Sequence, residues 1–288
     1  MLLGALVPAA HAWAGMIRLL VMTMLFFVFL EARPSWATYR RSHAVLLAAN
    51  LGLGLAAWGV GWLVGGRDVA LAAFFAGITP TAIAAPAIVS FLRGRVDYVV
   101  AAFFLTNLVI AALLPLLLPF VLGRATPHAF AAVAQSVGLV VFAPLVIALI
   151  VRWLHPAAAG WPARRRNLSF GIWVTAIFLT TANASDFVRQ QEAAPHWVLA
   201  QIAGVTLAVC VAGFVVGRWI GGREFPTEAS QSLGQKNTTF TIYLALTYAT
   251  PLIALGPTCY VIWHNLWNSW QLHRAARRPA VGPGAAQR

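Results

Sequence analysis

Charge is what this sequence has least of. Only 9% of its 288 residues are Asp, Glu, Lys or Arg, against 60% hydrophobic, and the mean hydropathy is +0.78. A soluble domain carries about 25% charged residues, so a solvated globular enzyme is excluded, and the oily composition also excludes a disordered chain. Acids number seven, none lies firmly inside an apolar run, and Glu228 comes closest. The two cysteines, Cys210 and Cys259, both sit within apolar runs, which excludes a disulfide framework or a cysteine-based metal site. Gly-x-Ser-x-Gly, His-Glu-x-x-His and P-loop patterns are missing. The chain is therefore not expected to be an enzyme or to drive transport with ATP by itself.

What is present is apolar sequence in long runs, with 12 Trp and 17 Phe suited to lipid contact and interfacial anchoring. A helix needs about 20 mainly apolar residues to cross the bilayer. Nine segments qualify: 11–31, 43–65, 69–92, 97–122, 129–154, 168–186, 196–220, 228–249 and 252–272. Residues 1–276 are thus expected to form one all-α polytopic membrane domain, and 277–288 a disordered cytoplasmic tail. The start of the chain faintly resembles a signal peptide ending at His11-Ala12-Trp13-Ala14, but it lacks a basic leader and stays apolar to Leu30. A first transmembrane helix is the expected reading.

The net charge of +13 is not a nucleic-acid signal, because the basic residues punctuate apolar runs rather than forming a stripe. Placing the N-terminus outside puts fifteen arginines on the cytoplasmic side: 33, 40, 41, 93, 95, 152, 164–166, 218, 223, 274, 277, 278 and 288. Three, Arg67, Arg124 and Arg189, then face outward. Such a positive-inside bias predicts an odd number of spans, N-terminus out and C-terminus in; the expected location is the cytoplasmic (inner) membrane of a bacterium.

Two spans are internally broken. Residues 71–91 read LAAFFAGITPTAIAAPAIVSF, with Gly77, Pro80 and Pro86 in mid-span, and a helix-interior proline removes a backbone hydrogen bond. Residues 230–248 read SQSLGQKNTTFTIYLALTY, whose first half (Gln231, Ser232, Gly234, Gln235, Lys236, Asn237, Thr238, Thr239) is too polar to face lipid. Freed backbone at membrane depth must be buried in protein or line a wet cavity. Interrupted spans in corresponding places of two halves point to a transport site, and the spans pair as one with six, two with seven, three with eight and four with nine.

These residues resemble the bile acid:sodium symporter family over essentially the whole chain. Gly77-x-x-Pro80 with Arg93-Gly94, then Gly234-x-x-Asn237, and above all Trp263-His264-Asn265, follow its motifs. The resemblance implies an inverted-repeat fold in which the third and eighth spans cross at unwound centres. It implies a core (about 43–122 and 196–272) beside a panel (about 11–31 and 129–186), with substrate in the crevice between them. Known members move organic anions such as bile acids and small carboxylates with sodium. By the family pattern Asn237, His264 and Asn265 border that crevice; Lys236 and Thr238 beside them are further candidate substrate-binding residues, with Thr238 and Thr239 equally suited to satisfying freed backbone groups.

The sodium ligands do not carry over. The family's Ser-Asn pair falls on Ala85 and Pro86, two hydroxyl ligands of the next helix on Val99 and Phe103, and a Glu and a Gln on Ser232 and Lys236. A hard cation needs several oxygen ligands, so sodium is not the expected coupling ion and no metal or other cofactor is expected. The ammonium of Lys236 instead takes the place of a cation, with proton coupling, uniport and anion exchange all open; snorkelling of Lys236 to the interface is the structural alternative. Thr106 and Asn107 are expected to bond between helices, and Arg18 to snorkel outward. Gln135, Ser136, Asn183 and Ser185 are candidates for the panel lining.

The expectation is a secondary transporter of a small organic anion, needing no oligomer. Its rival is a transport-inactive membrane homologue acting as a sensor or partner subunit. Arsenite efflux on a related fold is weaker, since Ile78-Thr79 stands where a cysteine is expected.

Overall fold

The structure is a computed structural model describing residues 2–31, 35–190 and 196–277. Most of the expected tail, along with Arg33, Arg278 and Arg288, lies outside the described residues. Among the described residues the chain is helical, and its one extended pairing is an isolated two-residue bridge.

A short α1 (Leu2–Leu6) and a 3₁₀ turn precede α2 (Met16–Glu31). α3 (Arg41–Ile78) folds back on itself at Gly65–Gly66, where Gly66 has φ 73°, and this brings Gly61 against Ala70 and Gly54 against Ile78. A left-handed conformation suits glycine. α4 (Ala85–Phe91), α5 (Val96–Val121), α6 (Pro127–Val137) and α7 (Ala143–Leu154) follow, then α8 (Trp161–Arg164) and α9 (Arg166–Gln190). The second half comprises α10 (His196–Gly221), α11 (Pro226–Gly234), α12 (Thr238–Tyr248) and α13 (Pro251–Ala276). Starts are written locally. Pro sits in the first turn of α4, α6, α11 and α13, where its missing N–H is harmless. Thr126 and Thr250 accept from Ala129 N and Ile253 N as caps.

Four helices are long and apolar enough to cross a membrane by themselves: α3, α5, the α6–α7 rod and α10. The other expected spans are helical over shorter or more polar stretches. α2 has 16 residues, α13 carries His264, Asn265, Asn268 and Gln271, and the third and eighth spans are interrupted. α6 and α7 are joined by a π-helical turn, Gly138–Phe142, which the apolar run 129–154 gave no sign of. Pro144 has no N–H to return to Val140, and the chain widens there instead, Ala143 N donating to Gly138 O.

α2 packs on α7 and α9, while α10 packs on α11 and α3, and α13 lies against α3 and α12. Ile17, Val21, Leu25 and Phe29 repeat every fourth residue and turn one face of α2 inward. Phe29 meets Phe103 and Phe104 at 6.1 and 5.5 Å between ring centroids. Small residues permit the closest helix approaches, as at Gly256 over Ala72 and Gly217 over Ala229. Outward, Leu63 (87%), Trp153 (80%) and Trp219 (74%) lie bare, the pattern of a lipid-facing perimeter.

Three arginine-bearing turns can be placed at the two ends of the helices. Arg40, Arg95 and Phe225 border one cavity, which places the starts of α3, α5 and α11 at one end. At the other end Arg67 donates to Leu122 O at 2.8 Å and Gln201 to Val64 O at 2.7 Å.

Candidate functional site: the crossing of two interrupted helices

The first break covers 79–84 and the second 235–237, and they meet. Ala82 N donates to Gln235 O and Asn237 N to Pro80 O, each at 2.8 Å, pairing Thr81 with Lys236 antiparallel. Each interruption therefore supplies backbone partners that the other lost when its helix stopped, as buried amides require.

Side chains complete the crossing. Thr106 Oγ1 accepts from Thr81 N at 3.1 Å and donates to Thr81 Oγ1 at 2.9 Å, and Thr81 Oγ1 donates to Ser232 O at 2.6 Å. Asn107 Nδ2 donates to Thr81 O at 2.9 Å, while its Oδ1 accepts from Asn237 Nδ2 at 3.3 Å. Thr79 and Thr241 hydroxyls pair at 2.8 Å. Thr106 and Asn107 thus bond α5 to the two interruptions rather than to a neighbouring helix.

Lys236 lies at the centre, 1% exposed, so it does not snorkel. Its ammonium donates to Asn50 Oδ1 and, at 3.1 Å, to Gly77 O, while Asn50 Nδ2 donates to Ile78 O at 3.0 Å. Gly77 and Ile78 are the last residues of α3, whose final carbonyls have no helical partner and carry the negative end of the helix dipole. An ammonium and an amide cap them. No carboxylate pairs with Lys236 among the described residues; the ion pairs His11–Asp186 and Arg95–Asp97 lie elsewhere.

The other expected residues fall as follows. Gly77 is helical rather than unwound, and its missing Cβ lets it approach Leu53 and Gly54. Pro86 does not interrupt a helix but opens α4. Ser232 and Gly234 end α11, Ser232 Oγ donating to Glu228 O at 2.7 Å, and Gln235 is the first residue of the break. Ala85, Val99 and Phe103 are buried in apolar clusters. Thr238 begins α12 and is buried. His264 and Asn265, expected side by side at a crevice, point to different faces. Asn265 is seven residues, two helical turns, from Thr258 and shares its face. His264 follows Tyr260, which donates to Gly234 O at 2.7 Å, toward α10 and α11.

The seam between α9 and the crossing is lined by Thr180, Thr181, Thr239, Ile242, Thr258 and Val261 and encloses about 10 Å³. Ser136 pairs with Tyr243 at 2.7 Å across α6 and α12, whereas Gln135 is exposed. A larger cavity, about 220 Å³, lies at the helix ends beside Arg40 and Arg95 and has no part in the crossing. Among the described residues no cluster of His, Cys, Asp and Glu is suited to a metal ion.

Two participants escaped the sequence reading. Asn50 was signalled by being a lone amide in an apolar run, the same mark that singled out Asn107. Tyr260 carried no signal, since aromatic residues are common throughout the chain.

No protein-family model matches the chain, and no curated protein matches it.

Proposed function

We propose that the protein is a secondary transporter of a small organic anion, working by alternating access and not driven through sodium sites. The observation that carries this reading is the crossing: two interrupted helices share backbone bonds around a buried ammonium that has no carboxylate partner. A buried unpaired charge is costly and marks an ion or substrate path, and its excess positive charge suits an anionic solute. The ammonium on the last carbonyls of α3 occupies the place of a bound cation. Nine spans, with the N-terminus outside and the C-terminus in the cytoplasm of a bacterium, suit the arginine-bearing turns.

Substrate would enter by movement of α9 against α12 and α13, since the threonine-lined seam between them holds no more than a water molecule. That same closure is the one observation favouring a second reading, a membrane homologue that senses or partners without transporting.

The test is uptake of a panel of labelled carboxylates and bile-acid-like anions into proteoliposomes. Accumulation without a sodium gradient, reduced by about tenfold or more in Lys236→Met, is the expected outcome. Flux that rises with a sodium gradient sinks the coupling claim, and no flux for any anion favours the second reading.

A further inference from the structure

Buried polar atoms in folded proteins nearly always have partners, and exceptions need a reason. Among the described residues eight such atoms have none, and five of them come from one neighbourhood: Gln231 Oε1, Gln235 Oε1, His264 Nδ1, Trp267 Nε1 and Asn268 Nδ2. Gln231 and Gln235 are one helical turn apart on α11 and the break that follows it. His264, Trp267, Asn268 and Gln271 recur at helical spacing along one side of α13.

Hydrogen bonds draw these two rows together. Gln231 Nε2 donates to Asn268 Oδ1 at 3.1 Å and to Gln271 Oε1 at 2.6 Å. Further in, Tyr260 donates to Gly234 O and meets the His264 ring edge-on, with centroids 5.7 Å apart. Gln271 is partly exposed toward the C-terminal end of α13, while Asn268, His264 and Tyr260 are progressively deeper in sequence and all buried. At the inner end Tyr260 reaches the carbonyl of Gly234, two residues before Lys236, and the buried Cys210 of α10 belongs to the same cluster as Tyr260. The titratable groups at this inner end are Cys210 of α10 and Tyr260 of α13, both buried. α3 offers only Asn50 and the Gly77 carbonyl.

We propose that the junction of α10, α11 and α13 holds a file of water molecules that carries protons between the surface at Gln271 and Lys236. Unpartnered donors and acceptors at this spacing are what ordered internal water requires, two to four polar contacts for each molecule. His264, buried with its Nδ1 unpartnered, offers such a water a hydrogen-bonding ring nitrogen midway along the path. In the loading step the innermost water gives a proton to the Lys236 amine, which becomes the ammonium, and bulk water replaces the proton along the file; unloading reverses it. As the coupling path of a transporter the file rests on the proposed transport function. As a physical object it does not.

Two measurements test it without requiring flux. Radiolytic hydroxyl labelling of the unmodified protein in nanodiscs reports water next to buried side chains. After correction for intrinsic reactivity, Tyr260 and His264 are expected to oxidise about tenfold faster than the equally buried Phe74 and Phe103. Equal rates overturn the file. Lys236 is the chain's single lysine, so ¹⁵N-lysine labelling gives one side-chain ammonium signal whose hydrogen exchange reads its access to water. Exchange is expected to slow about tenfold in Gln231→Leu/Asn268→Leu, and in His264→Phe should the double variant not fold. Exchange unchanged in the folded variants overturns the path to Lys236. A protein that moves no anion yet shows both signals keeps the file and removes the transport reading.

Discussion

The break at 79–84 is closed from outside, by Thr106 and Asn107 of α5, and carries no charge. The break at 235–237 trades backbone bonds with the first, adds a bond from Asn237 to Asn107, and sends the Lys236 side chain across to α3. Two interruptions that look alike as gaps in a helix thus differ in what holds them. The first depends on neutral side chains, each replaceable at modest cost in a membrane interior. The second depends on an ammonium that must find partners, and Asn50 together with the end of α3 provides them. A neutral scaffold and a charged centre are combined in one crossing.

That contrast is broken most severely by removing the partner of the charge. Asn50→Leu leaves the ammonium with a single carbonyl, and stability in detergent, read by thermal or SDS unfolding, is expected to fall by about 3–5 kcal/mol, as when one member of a buried charged pair is lost. Lys236→Met removes the charge with its need, and a fall of about 1–3 kcal/mol for the orphaned acceptors is expected. Combining the two should restore part of the loss seen in Asn50→Leu alone; a double variant worse than the sum of both would show that the lysine is not what Asn50 serves.

On the neutral side, Asn107→Leu is expected to destabilise by about 1–2 kcal/mol, near the upper end for interhelical bonds in membranes. Thr106→Val should cost about 0.6 kcal/mol, the average for such bonds. If Thr106→Val proved as harmful as Asn50→Leu, the distinction between the two breaks would not stand.

The positions of both interruptions were legible in the sequence, for unlike reasons. Pro80 cannot continue a helix, and the polar run around Lys236 cannot face lipid. That they meet was suggested by the resemblance, but the register, Thr81 opposite Lys236, was not legible, since nothing local sets the offset between segments so far apart. Pro86 was misjudged because a proline reads the same whether it stops a helix or starts one, and only the preceding turn decides. Adjacency in sequence suggests that His264 and Asn265 act as a pair, yet neighbours on a helix diverge by about 100°. Asn50 carries the same mark as Asn107, a lone amide in an apolar run. The fold-back at Gly65–Gly66 was written in the glycines themselves, while the π-helical turn near Pro144 was hidden in an unbroken apolar run.

The bridge between Thr81 and Lys236 spans 155 residues of chain, and this matters while the protein is being made. At about 5–20 residues per second, the ribosome needs roughly 8–30 seconds after finishing the first break before its partner emerges. Until then the amides around Pro80 and Ala82 must be shielded by α5, by water, or by the insertion machinery. Biogenesis of this protein should therefore be unusually sensitive to pauses in translation between the two breaks, a vulnerability that the finished fold conceals.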